Sequence, residues 1–236
     1  MHPTEIIESP IDLKSLQSIF KKMEADFNKS PVPEYEFRIA GLNKLEKNLL
    51  LFKDRITEAM RLDFNKSGFE SEASEILTCL VELRKAKREL KKWMRPKHVQ
   101  TPTELTGSSH YLLYEPKGVV LILAPWNYPI NLSIIPLIAA WSAGNKIILK
   151  SSEFAPHSAK LIQELIQQSF APSDVYAVLG SSETAEALVQ LPFNHIFFTG
   201  SQATAKKILK AAAENLSSVT LELNRKNPLI LDESIS

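Results

Sequence analysis

The chain has 236 residues, 44% of them apolar and 23% charged, and its net charge is +1. These proportions are ordinary for a globular protein, and so small a charge provides no field to gather nucleic acid or an anionic membrane. No apolar run reaches the ~18–20 residues that cross a bilayer, and residues 1–21 lack the apolar stretch of a signal peptide. A single cysteine, Cys79, excludes an intrachain disulfide, which fits a reducing, cytoplasmic setting.

The first third reads as helical. Ile39, Leu42, Leu45, Leu49, Phe52, Ile56 and Met60 recur at spacings of three and four, which places them on one helix face. The run Asp63 to Gly68 favours a turn. A second stripe follows at Ile76, Leu80, Leu83, Ala86, Leu90 and Trp93. Arg84, Lys85, Lys87, Arg88, Lys91 and Lys92 lie between those positions. They are read as a solvated face rather than a nucleic-acid patch, because the rest of the chain balances them. Cys79 sits beside the apolar stripe and is expected to pack, not to react. Pro96 ends this helix. Residues 97–115 then read as an extended arm with strand character.

From Gly118 the elements alternate. Strands are expected at Val119–Leu123, Lys146–Leu149, Asp174–Gly180, His195–Gly200 and Val219–Leu223. Helices are expected at Leu132–Ala143, Ala155–Phe170, Ser182–Leu191 and Gln202–Asn215. This alternation implies an α/β fold, a parallel sheet of about five strands with helices on both faces. Ligands in such folds bind beyond the C-terminal ends of the strands.

Four strand ends carry residues with chemical potential. After the first comes Pro125-Trp126-Asn127-Tyr128-Pro129, where two prolines restrict the backbone around Asn127. A carboxamide held this way can donate toward a developing oxyanion, or it can be a turn asparagine beside a core tryptophan. Lys150 and Glu153 end the second strand and could bind ribose hydroxyls, or could be an ordinary strand-end pair. Gly200 and Ser201 open a helix whose N-terminus suits a pyrophosphate, although Ser201 could be an N-cap alone. Glu222 lies between two leucines, where burial would suit it to general base work; otherwise it simply reaches solvent. The five histidines, at positions 2, 98, 110, 157 and 195, show no ligand spacing, and no metal site is expected.

Taken in order, Pro125-Trp126-Asn127-Tyr128-Pro129, Lys150-Ser151-Ser152-Glu153, Phe198-Thr199-Gly200-Ser201 and Leu221-Glu222-Leu223 resemble the aldehyde dehydrogenase superfamily. Asp63-Phe64-Asn65-Lys66 is similar to its class 3 branch, which includes fatty aldehyde dehydrogenases. The resemblance runs from about Phe37 to Asp232 and implies a Rossmann-like domain for NAD or NADP. By that resemblance Asn127 is the oxyanion donor and Trp126 lines the cofactor and substrate passage. Lys150 and Glu153 hold the adenosine ribose, Gly200 and Ser201 meet the pyrophosphate, and Glu222 is the general base. The family oxidises aldehydes to acids through a cysteine thiolate, a thiohemiacetal and a thioester.

The resemblance also implies a division of the chain. Residues 1–96 form the N-terminal helical part of the coenzyme-binding domain, 97–115 the arm and first strand of an oligomerisation sheet, 116–223 the nucleotide-binding core, and 224–236 the start of a catalytic domain. The family is typically homodimeric, and its sheet of arms is incomplete here. The family's cysteine lies beyond the glutamate strand and after Ser236, so the chain is expected to be inactive alone. The alternative is a non-catalytic module that binds a dinucleotide or a partner. Two further departures stand out. The family's glycines after the glutamate are Asn224 and Arg225, and Arg225 is expected to obstruct the nicotinamide pocket or pair with Glu222. A second glycine of the pyrophosphate helix is Ala205, whose methyl could push that helix off the sheet.

Overall fold

The computed structural model describes residues 13–223 and Ile230. The expectations for Asn224 and Arg225 lie outside the described residues, as does all of 224–236 except Ile230.

The first element among the described residues is α1 (Leu13–Lys29), which the sequence reading did not single out. Leu16, Phe20 and Met23, spaced four and three apart, are its buried face. The single stripe expected from Ile39 to Met60 is divided into α2 (Tyr35–Leu51) and α3 (Lys53–Phe64). Phe52 joins them at φ −87°, ψ 0°. Its N–H still bonds to Asn48 and its carbonyl to the N–H of Ile56, so the apolar face continues across the joint. Asn65, left-handed at φ 54°, closes α3, a conformation that asparagine tolerates better than most residues.

The second stripe is also subdivided. It runs through α4 (Gly68–Ser71), a π-helical turn (Glu72–Ile76) and α5 (Leu77–Trp93). The basic run on α5 is paired with acids: Arg84 and Lys87 reach Glu46, and Lys85 reaches Glu82. The arm is a ribbon of two short antiparallel strands, β1 (Lys97–Val99) and β2 (His110–Leu112), with His98 opposite Tyr111.

The main sheet comprises β3 (Val119–Leu123), β4 (Lys146–Lys150), β5 (Val175–Val178), β6 (His195–Gly200) and β7 (Ser218–Leu223). Its order is β5-β4-β3-β6-β7, and every pair is parallel. The connecting helices are α6 (Asn131–Ser142), α7 (Pro156–Ser169), α8 (Ser182–Val189) and α9 (Gln202–Glu214). Each expected strand and helix of this half is present, with ends shifted by no more than a few residues.

Side chains alternate across the sheet with the two-residue period of a strand. Val120, Ile122, Ile147 and Leu149 enter one core, with α2, α3, α5, α6 and α7. Val119, Leu121, Leu123 and Ile148 enter the other, with α1, α8 and α9. The chain steps one way through β4 and β5, then returns across β3 to β6 and β7. A constant crossover hand then requires helices on opposite faces. Neither α8 nor α9 covers all of the second face, and α1 completes it by packing on β3 and β4. Phe20 meets Phe193 edge to face, with centroids 5.0 Å apart. Burying Leu16, Phe20 and Met23 contributes about 1.5–3 kcal/mol each, which is why so polar a helix is held. Ala205 is 2% exposed and packs in this second core. Its methyl is accommodated, and α9 stays on the sheet against β6 and β7.

Candidate nucleotide-binding cleft

Parallel strands place their C-terminal ends on one edge. In register, Leu123 pairs with Lys150 on one side and with Phe198 on the other. Around those ends lies a cleft of about 710 Å³, within the range of small-molecule and cofactor sites. Trp126, Asn127, Lys150, Glu153, Gly200 and Ser201 all line it, so six of the seven expected site residues converge.

Glu222 does not line this cleft. It is exposed on β7 and lies opposite Thr199 in register. Of the two alternatives for Glu222, the carboxylate that reaches solvent is the one present, because β7 is the edge of the sheet and lacks a further strand beside it among the described residues.

Lys150 is 4% exposed. Its ammonium donates to Glu153 Oε2 at 2.7 Å and to the Ser151 carbonyl at 3.1 Å, so a buried cation has an anion and a dipole to offset its desolvation. Glu153 lines the cleft. Ser201 caps α9: its Oγ accepts the Thr204 N–H at 3.1 Å. The first amides of the helix lack intrahelical acceptors, and the helix dipole adds positive potential there.

Gly200 is needed for space. A Cβ on it would stand 2.4 Å from Cζ of Phe198, so the phenyl ring forms the floor against which this backbone lies. Thr199 Oγ1 is buried and has no hydrogen-bond partner among the described residues.

The opposite wall comes from α8, through Ser182, Ala185, Glu186 and Val189. Sequence reasoning assigned these residues no role. The signal available was Gly180-Ser181-Ser182 at the end of β5, a fifth strand end with a serine N-cap whose Oγ accepts the Glu183 N–H at 3.2 Å. Glu186 reaches across to Lys207 of α9 at 3.5 Å, with both side chains exposed.

The Asn127 loop is held from outside the sheet. Its backbone carbonyl accepts from Lys66 Nζ at 2.9 Å, and the same ammonium lies 3.1 Å from Glu75 Oε1. Glu75 Oε2 accepts the Asn131 N–H at 2.9 Å. Burial pushes the Glu75 carboxyl upward, opposed by the Asn131 amide and by Lys66. The Asn127 carboxamide itself has no hydrogen-bond partner among the described residues, and its neighbour Trp126 is 52% exposed. Trp126 stacks at a tilt on Phe64, centroids 6.0 Å apart. Lys66 was read in the sequence as a turn residue and Glu75 was passed over, since neither spacing nor composition points to Asn127.

Cys79 is fully buried on α5. Burial, and then the charge of Glu75, push its thiol well above the ordinary range. It lies in the first core and not at the cleft.

Comparison with known proteins is consistent along the chain. The profile of the Aldehyde dehydrogenase family matches residues 11–235, so the match includes α1 as well as the segment from Phe37. The chain is 39% identical over 219 residues to 4,4'-diaponeurosporen-aldehyde dehydrogenase of Staphylococcus aureus, covering 93% of this chain and 48% of that protein. It is 37% identical over 219 residues to human aldehyde dehydrogenase family 3 member B1, covering 93% and 47%. Among solved structures, the substrate-bound state of Staphylococcus aureus AldH superposes with a TM-score of 0.88 at 39% identity, covering 92% of this chain and 48% of that one. The chain spans about half the length of the curated relatives it matches.

Proposed function

This chain belongs to the aldehyde dehydrogenase family, with class 3 relatives along nearly its whole length, and from that premise we propose that it is the coenzyme-binding half of an NAD- or NADP-dependent enzyme that oxidises aldehydes to carboxylic acids. The observation that carries the reading is the convergence of Lys150, Glu153, Gly200, Ser201 and Asn127 on one cleft. The cleft suits a dinucleotide: a carboxylate for a ribose hydroxyl, a capped helix N-terminus for a pyrophosphate, and a glycine that lets backbone approach. NAD(P)+ supplies the hydride acceptor when bound.

The chain's own residues would divide the remaining work. Lys150 and Glu153 bind the adenosine ribose, Gly200 and Ser201 hold the pyrophosphate, and Trp126 lines the passage between cofactor and substrate. Asn127 donates its side-chain N–H to the aldehyde oxygen as negative charge develops there. Glu222, one strand over from Thr199, takes a proton from the nucleophile or from the water that releases the acid. Cys79 is not the nucleophile, because a buried, protonated thiol on α5 reaches no substrate. The thiolate belongs to the part of the protein that follows β7 in the longer relatives. A homodimer built through the β1–β2 arm and a cytoplasmic location complete the reading; among the described residues no helix is long and apolar enough to cross a membrane. The division at 96, 115 and 223 is proposed with it.

A second reading rests on the same observation. A module that binds the dinucleotide without oxidising aldehyde has the same cleft. Titration of the chain with NAD+ and NADP+, followed by tryptophan fluorescence with Trp126→Phe as the control, tests both readings at once. Saturable binding that Gly200→Ala weakens supports the cleft, and absence of binding at millimolar cofactor sinks both. Appearance of reduced cofactor on adding an aldehyde to the protein extended past β7, to the length of its relatives, separates the enzyme from the module.

A further inference from the structure

The segment that presents Asn127 is fixed by a charge pair from the N-terminal helices. Lys66 follows the left-handed Asn65 at the end of α3, and Glu75 lies in the π-helical turn before α5. Their side chains are 12% and 0% exposed. The Lys66 ammonium donates to the Asn127 carbonyl and to Glu75, and sits over the Tyr128 ring at 4.1 Å from its centroid. Glu75 accepts the Asn131 N–H, and the Asn131 side chain donates to the Ser74 carbonyl at 2.9 Å. One pair therefore grips the loop at Asn127 and at the first turn of α6.

Two physical arguments give this arrangement a purpose beyond packing. Isolated π-turns within helices are rare, and often occur at functional sites because they re-aim side chains. Here the turn carries Glu75. A buried ion pair is also a poor source of stability, since well-packed apolar groups of similar volume often do as well or better. What a cation against the Asn127 carbonyl does supply is direction. Rotating the 127–128 peptide would turn an N–H toward the ammonium, so only one peptide orientation is compatible with Lys66.

We propose that Lys66 and Glu75 are positioning residues that set the backbone of Asn127, and through it the aim of the Asn127 carboxamide into the cleft; the inference rests on the reading of Asn127 as the oxyanion donor. A purely structural pair would leave the carboxamide where it is when both charges are replaced and the fold survives.

The test follows the side-chain amide signals of Asn127 by nitrogen–proton NMR of the whole chain, assigned by their loss in Asn127→Asp. In Lys66→Met these signals shift or split, and in Lys66→Met/Glu75→Gln, which leaves no uncompensated charge, they do the same while signals of the sheet stay in place. Lys66→Arg, which keeps the cation, returns them to their original position. Unchanged Asn127 signals in the folded double variant overturn the proposal, and so does failure of Lys66→Arg to restore them. NAD+ titration of the unsubstituted chain is run in parallel. Loss of that binding would count against the cofactor reading, while the Asn127 signals still decide the positioning role.

Discussion

Lys150 and Glu153, three residues apart at the end of β4, form a 2.7 Å ion pair whose cation is almost fully enclosed and whose anion borders the cleft. The carboxylate is therefore oriented by a neighbour that cannot move away. It can accept from a free ribose 2′-hydroxyl and repels a 2′-phosphate. Glu153→Gln is expected to weaken NAD+ about tenfold, or about 1.4 kcal/mol, and to weaken NADP+ less. Calorimetric titration with both cofactors measures the ratio, and an unchanged ratio would remove Glu153 from the discrimination.

The Glu75 carboxyl is raised first by burial, with the Asn131 amide and Lys66 opposing. A folded-state value above the unfolded 4.5 means that the folded chain holds this proton to higher pH. Its contribution to stability is therefore fully present below about pH 4.5 and is lost as pH rises through the raised value. Lys66→Met removes an opposing charge, so the loss should become larger and extend to higher pH. Urea midpoints across that range should show a steeper decline in Lys66→Met than in the unsubstituted chain, and no such decline in Lys66→Met/Glu75→Gln.

His195 behaves in the opposite sense. Burial, and then the charge of Lys117, lower its imidazole below 6.5, and its Nδ1 lies 2.8 Å from Ser218 Oγ between β6 and β7. The folded chain binds this proton less readily than the unfolded chain. Stability is present above the unfolded value and is lost as pH falls from about 6.5 through the lowered one. Thermal midpoints taken from about pH 8 down to about pH 5.5 should fall less in Lys117→Met. An equal fall in both proteins would show that Lys117 has no part in it.

Gly200→Ala places a methyl 2.4 Å from the Phe198 ring. The ring or the strand end must shift, at a cost of about 1–3 kcal/mol. Because the ring floors the cleft, cofactor affinity should fall along with stability. The second change Phe198→Leu should recover part of both, and a Gly200→Ala chain with unaltered urea midpoint and affinity would refute the steric account.

Asp63 caps a helix to which it is not joined. Its carboxylate accepts the N–H groups of His157 and Ser158, at 3.1 and 2.8 Å, and the Ser158 hydroxyl at 2.7 Å, at the start of α7. Ala155, in the N-cap position of α7, has no side chain to do this. Asp63→Ala should cost about 1–2 kcal/mol, the usual worth of a lost cap, read as a lowered urea midpoint. Asp63→Asn, which keeps an acceptor, should lose less.

Much of the cleft could be read from residues alone. Lys150, Glu153, Gly200, Ser201 and Asn127 follow strands whose apolar runs are unmistakable, and parallel strands must bring their C-terminal ends together. The α8 wall was missed because Ser182 and Glu186 look like any helix start. For Glu222 the flanking Leu221 and Leu223 left burial and exposure both open, because burial of an edge strand depends on what lies beside it, and the side chain is exposed. The helix α1 was passed over because three apolar residues among many charges carry a faint pattern, and only the uncovered face of β3 and β4 gives them a purpose.

The amino-acid sequence by itself determined the alternation of strands and helices, the parallel sheet, and which loops meet at its C-terminal edge, because periodicity and turn chemistry act over a few residues. Tertiary structure decided what those loops rest on. Lys66 meets Asn127 across 61 positions and Asp63 meets Ser158 across 95. No local rule encodes such pairs: they exist only once α3 and the π-helical turn pack against the helices of the sheet, where a buried charge must find a partner or lose its charge.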